Sequence, residues 1–152
     1  MITARWQQRI ERPREQVFDF VADLHNEPQF NPDASNIRKE TPGPIGLGTV
    51  FSEDYRRVGR YETTIDRYER PSELGFDARN PRVDARVRFS FAAAGDGATD
   101  VSCTVELHMK GAMRVVEQLT APMIRRQIEQ TRGPLLRRAL ESRATGASDV
   151  PA

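Results

Sequence analysis

The sequence predicts an α+β domain in which a curved antiparallel sheet of about seven strands is covered by one long C-terminal helix. Three observations carry that expectation. Segment after segment alternates apolar and polar residues at the two-residue period of half-buried strands. Two short helical stretches follow the first of these segments. Near the C-terminus, Val115, Val116, Leu119, Met123, Ile124, Ile128, Leu135, Leu136, Ala139 and Leu140 recur mostly at three- and four-residue steps. Arg125, Arg126, Glu129, Arg132, Arg137, Arg138 and Glu141 fill the other side, the pattern of a one-faced helix over 115–142.

The elements follow in order. Ile2, Ala4, Trp6, Gln8 and Ile10 alternate with Thr3, Arg5, Gln7 and Arg9, giving a first strand. Pro13 suits a first helical position, Glu15 suits the positive helix N-terminus, and Val17, Phe18, Val21 and Leu24 form an apolar stripe, so a helix spans 13–24. Asn26 is expected to cap a second short turn through Phe30, ended by Asn31-Pro32-Asp33. Strands are expected over 35–40, 49–55, 60–68, 74–78, 83–92 and 101–110, the last two joined as a hairpin through Gly95-Asp96-Gly97. Gly133-Pro134 should kink or split the closing helix, because proline lacks the N–H and clashes one turn back. Residues 115–132 are then its gripping part and 135–142 an angled continuation. Residues 1–142 form a single domain, and the small, polar stretch 143–152 is expected to be a flexible tail.

Bulk properties narrow the function. The chain of 152 residues carries 23 basic and 22 acidic side chains, a net charge of +1, so no overall field recruits nucleic acid or an anionic membrane. One cysteine, Cys103, excludes an intramolecular disulfide framework and a cysteine-based zinc site. No segment approaches the roughly 20 apolar residues of a membrane span, and the N-terminus lacks a secretory pattern. A cytoplasmic location is expected, with no nucleic-acid partner and no integral membrane segment.

Dedicated catalytic chemistry is sparse. Gly46-x-Gly48 lacks the third glycine and the strand-to-helix context of a dinucleotide site, and is a turn. His25 and His108 fall at surface positions and have no metal-ligand spacing; no metal or cofactor is called for. Cys103 lies in the apolar series of its strand, where a thiol is inert packing. Ser52, Ser90 and Ser102 lack a nucleophile elbow. The arginines of the last helix alternate with Glu129 and Glu141 and suit a solvated face. The best polar candidate is Glu53. With Phe51 and Tyr55 facing inward it shares their face; a register shifted by one residue brings Val50, Ser52 and Asp54 inward instead and leaves Glu53 solvated, the reading the sequence favours. Tyr55, Tyr61 and Tyr68 offer phenolic hydrogen bonds, Gln8 and Thr63 neutral contacts, and Met109, Met113 and Met123 flexible packing near the strand-to-helix junction.

The stretches IERPREQVFDFVAD (10–23), PQFNP (28–32), GLGT (46–49) and YERPSEL (68–74), with the closing helix, resemble the START-related SRPBCC superfamily and its polyketide cyclase/dehydrase and lipid-transport branches. The match extends to about residue 142. Phe30 stands where tryptophan is common in the family, and Gly133-Pro134 interrupts the closing helix. The resemblance implies a helix-grip fold, with a cavity between sheet and long helix for an apolar or aromatic molecule. Phe51, Glu53, Tyr55, Tyr61, Phe76, Phe89, Phe91, Cys103, Met109 and Met123 are the candidate ligand-binding residues. The leading expectation is an intracellular binding protein for a hydrophobic, lipid-like or polyketide-like molecule. The alternatives are a polyketide cyclase or aromatase-like enzyme using the same cavity, and an interaction module contacting partners through Trp6, Phe30 or Arg56-Arg57. A homodimer is compatible with each.

Overall fold

The computed structural model of the chain describes residues 1–148, with side chains through Ser142. The strands are β1 (Ile2–Ile10), β2 (Ala34–Lys39), β3 (Val50–Tyr55), β4 (Gly59–Glu69), β5 (Glu73–Arg79), β6 (Val83–Ala93) and β7 (Thr99–Met109). Helix α1 (Arg14–Ala22) and a 3₁₀ helix (Leu24–Gln29) follow β1, and α2 (Met113–Ser148) closes the chain. Seven strands form one antiparallel sheet in the order β1-β7-β6-β5-β4-β3-β2. The strands from β2 to β7 thus follow one another as a meander, and β1 pairs beside the last of them. The segment between β1 and β2 must cross the sheet, which is what α1 and the 3₁₀ helix do.

Alternation becomes burial as expected. Ala4, Trp6 and Ile10 of β1 and Phe89 and Phe91 of β6 face the core, where Val17, Phe18 and Val21 of α1 meet them. Trp6 sits edge-on to Phe89 at 6.0 Å, and Phe18 edge-on to Phe91 at 5.5 Å, the geometry that aromatic quadrupoles prefer.

Several local expectations are corrected. Pro13 is the residue before α1, with extended backbone, rather than its first helical residue. The 3₁₀ helix is capped by Asp23, whose Oδ1 accepts from the His25 N–H at 3.1 Å. Asn26 instead donates its side chain to the Phe20 carbonyl at 3.0 Å, tying the two helices together. The closing helix neither splits nor ends at Gly133-Pro134; α2 continues to Ser148, and 149–152 lie outside the described residues. The geometry explains the tolerance. Gly133 faces β1 so closely that a Cβ there would lie 3.2 Å from the Gln8 Cβ and 3.3 Å from Trp6 Cε3. Pro134 and Gln130, whose carbonyl it leaves without a donor, are on the exposed side, where water can serve that carbonyl.

Helix α2 lies along β1, the edge strand. Arg125 Nε donates to the Thr3 carbonyl and Glu129 Oε1 accepts from the Arg5 N–H, both at 3.0 Å. Farther on, Glu141 Oε1 accepts from the Glu11 N–H at 3.2 Å. These side chains occupy backbone groups that an open edge would offer to another chain. Within the expected gripping part, 115–132, only the end around Ile124 and Ile128 meets the core, and the burial continues past Pro134. Val115, Leu119 and Met123 are 80%, 84% and 63% exposed, whereas Ile128, Leu136 and Leu140 are buried. The first half carries apolar residues on two rows, and only the row of Ile124 and Ile128 meets the core.

Leu136→Ala should therefore destabilise the fold by about 3 kcal/mol through lost burial and a residual cavity, while Leu119→Ala should stay within about 0.5 kcal/mol. Urea midpoints at constant m-value measure both.

Candidate functional site

A 3₁₀ helix has three residues per turn, so every third side chain eclipses. Leu24, Glu27 and Phe30 consequently share one face, and all three are buried. This aims a carboxyl group inward toward β3. On β3, Phe51 is fully buried, which commits Glu53 to the same inner face, where it is only 2% exposed. The solvated register expected for Glu53 is thus overturned, because the apolar core takes Phe51.

The two carboxyls anchor a buried polar cluster. Asn31 Nδ2 donates to Glu27 Oε1 at 2.9 Å and to the Tyr55 hydroxyl at 3.0 Å, and the Tyr55 hydroxyl donates to the same Glu27 oxygen. Thr63 of β4 donates its hydroxyl to Glu53 Oε1 at 2.8 Å. Glu53 Oε2 is shielded from water and has no donor. The Glu27 carboxyl lies within hydrogen-bonding reach of Glu53, but a carboxylate facing a carboxylate offers only acceptors.

Electrostatics resolve that conflict. Burial first, then the negative charge of Glu27 and a hydrogen bond with it, push the Glu53 carboxyl up to about 10, only partly opposed by the Thr63 hydroxyl. Glu53 therefore holds a proton at neutral pH and supplies the donor the pair lacks, while Glu27 collects hydrogen bonds from Tyr55 and Asn31. Tyr55 is pushed well above the usual phenol range by burial and by Glu27 and Glu53, with Arg132 opposing. Burial also raises Tyr61, with Asp84 and Glu53 adding to it. The Cys103 thiol rises through burial against the opposing charge of Arg132, which agrees with an inert packing role.

The proposed residues divide into groups. Glu53, Tyr55 and Tyr61 come together, with the two tyrosine rings edge to face at 5.0 Å. Tyr61 and Met109 belong to a small apolar cluster with Ala78, Val83, Leu107 and Met113. Phe51, Phe76, Phe89, Phe91 and Cys103 sit in the main core. Met123 is solvent-exposed on α2 and joins none of them. Glu27 and Asn31 were not anticipated; the signal that marks Glu27 is its three-residue spacing from Leu24 and Phe30. Arg132, expected on a solvated face, is half-buried, with its guanidinium 3.5 Å from the Phe30 carbonyl. Two open depressions, of about 360 and 410 Å³, lie along α2 around Arg138 and Ser142, the first also bounded by Gln29 of the 3₁₀ helix; neither is lined by Glu27, Glu53 or Tyr55. Among the described residues there is no metal-binding group of three or more side chains, and no helix is long and apolar enough to cross a membrane.

The sequence model of the family described as "Polyketide cyclase / dehydrase and lipid transport" matches residues 1–141. The chain belongs to this family. Solved structures agree at the level of fold. A START superfamily protein from Mycobacterium smegmatis superposes with a TM-score of 0.69 at 16% identity, covering 97% of this chain and 99% of the other. An aromatase/cyclase from a Streptomyces species gives 0.69 at 12% identity, covering 97% and 96%. Truncated norcoclaurine synthase from Thalictrum flavum gives 0.63 at 13% identity, covering 93% and 92%. No curated protein matches the sequence. The polyketide cyclase/dehydrase and lipid-transport fold, an open curved sheet with a long closing helix, is therefore the frame that holds the carboxyl pair.

The raised Glu53 pKa fixes a sign for stability. The folded state keeps this proton to about pH 10 while the unfolded chain releases it near the ordinary glutamate value, so the folded state binds more protons in between. Stability from this group is complete at low pH and declines as pH rises toward 10. Urea denaturation of Glu53→Gln across pH 5 to 9 should show that decline flattened relative to the unaltered protein.

Proposed function

We propose that the protein binds a hydrophobic or aromatic small molecule in the space between the sheet and α2, with one polar group of that molecule docked at Glu27, Glu53 and Tyr55. The observation that carries the reading is Glu53 Oε2, buried with no protein donor directed at it beside the apolar cluster of Tyr61 and Met109. Thr63 serves Glu53 Oε1, but a buried acid whose second oxygen receives no protein donor costs stability that a purely structural role leaves uncompensated. Apolar contacts supply most of the affinity, at roughly 25 cal/mol per Å² of area removed from water. Membership of a family whose description includes lipid transport supports the ligand class.

A second reading uses the same cluster for catalysis, as a polyketide cyclase-like activity. It is favoured by one observation: Glu53 is buried beside an apolar wall, where burial raises a carboxyl group's pKa and makes it a proton donor suited to a substrate carbonyl. The interaction-module reading loses two of its contacts, since Trp6 and Phe30 are buried, and retains only Arg56-Arg57 on the surface.

Titration with Nile red, a neutral apolar dye, should give saturable one-to-one binding that apolar alcohols displace. Absence of saturation across a broad apolar library contradicts the carrier reading. Turnover of a poly-β-keto substrate that is lost in both Glu53→Gln and Tyr55→Phe would move the assignment to the enzyme.

A further inference from the structure

The carboxyl pair carries more information than the presence of a ligand. Two glutamates from different elements, Glu27 from the 3₁₀ helix and Glu53 from β3, converge in a site closed to water, although a neutral amide or hydroxyl would serve a neutral ligand group at lower cost. Glu53 Oε2 offers an acceptor that no protein donor fills. The edge-to-face pair Tyr55–Tyr61 stands beside it, and Tyr61 is directly opposite Glu53 in the strand register. Acceptor oxygens with adjacent aromatic faces are the surroundings in which an ammonium group is most strongly held. A ligand carboxylate or phosphate would meet two carboxyls and be repelled.

We propose that the Glu27–Glu53 pair is a seat for the ammonium group of an apolar or aromatic amine, which exchanges for the single proton the pair holds when empty. This rests on the reading of the protein as a small-molecule carrier and narrows it to one ligand class.

The charge balance is explicit. The empty pair carries one proton and one negative charge, opposed by Arg132, whose charge reaches Tyr55. An entering R–NH₃⁺ donates to Glu53 Oε2; the Glu53 O–H bond breaks and its proton leaves to solvent. The pair then holds two negative charges against the ammonium and Arg132, so the cluster gains no net charge. The titratable and charged groups facing Glu53 are Glu27 from the 3₁₀ helix, Tyr55 on its own strand and Tyr61 from β4, with Arg132 from α2 acting through Tyr55. Both tyrosines stay neutral throughout the relevant range, since both are raised.

The experiment compares 4-phenylbutylamine with 4-phenyl-1-butanol, which share an apolar body, by isothermal titration calorimetry of the full-length protein. Titrations run between pH 6 and 8 in two buffers of different ionisation enthalpy. The proposal expects the amine to bind with release of about one proton, its dissociation constant tightening about tenfold per pH unit, while the alcohol binds independently of pH. In Glu53→Gln, shown to be folded by its thermal transition, the amine should release no proton and lose at least tenfold of its preference over the alcohol. Equal, pH-independent binding of amine and alcohol overturns the ammonium seat and leaves the carrier reading standing. Failure of both compounds, together with failure of Nile red, overturns the two readings at once.

Discussion

Because side chains alternate along a strand, placing Phe51 of β3 wholly inside the core places Glu53 inside as well. The rest of the site depends on this coupling. An isolated buried carboxylate is prohibitively unfavourable, so the acid must keep a proton, find hydrogen bonds, or both. It does both, through Thr63 on β4 and Glu27 on the 3₁₀ helix. The 3₁₀ helix is held for this role by Leu24 and Phe30 on the same eclipsed face and by the Asp23 cap. Asn31 joins Glu27 to Tyr55 of β3, and Thr63 of β4 joins Glu53, so three segments separated in sequence meet in one polar cluster.

The closing helix divides into two jobs. Its second half is part of the core, pressed onto β1 at Gly133 and anchored by Leu136 and Leu140. Its first half contributes less to the core, since Val115, Leu119 and Met123 face outward, while Glu117 meets the Met1 amine and Arg125 and Glu129 meet β1 through polar contacts. A segment with few buried apolar contacts opens at lower free energy than the core. That asymmetry would suit the proposed carrier role, and Tyr55 and Tyr61 of the polar cluster share an apolar cluster with Met109 and Met113 at the start of the helix.

How much of this was legible in the sequence follows from which periodicities are unambiguous. The order of strands and helices was readable because alternation over β6 and β7 admits one buried face. Glu53 and Tyr55 were readable only conditionally, since β3 carries Val50, Phe51, Ser52 and Tyr55 in positions that fit either register. Glu27 was hidden because a short segment with Asn26 and Pro28 reads as a turn, and its three-residue period shows only once a 3₁₀ helix is recognised. The extent of the grip along 115–132 is ambiguous for a related reason: two apolar rows on one helix look alike until the sheet selects between them, and it selects the row of Ile124 and Ile128. Gly133-Pro134 was read as a breaker from backbone chemistry alone. Its tolerance depends on where each residue points, the glycine at β1 and the proline at solvent.

The central claim is that Glu27 and Glu53 share one buried proton, held by Glu53, where a ligand's polar group is received. It is tested most directly by carbon-detected NMR titration of the glutamate side-chain carboxyls, assigned through Glu53→Gln. The account predicts a Glu53 carboxyl that is still protonated at pH 7 and titrates far above the other glutamates, toward about pH 10. A Glu53 resonance that titrates with the surface glutamates in the ordinary acidic range would contradict it.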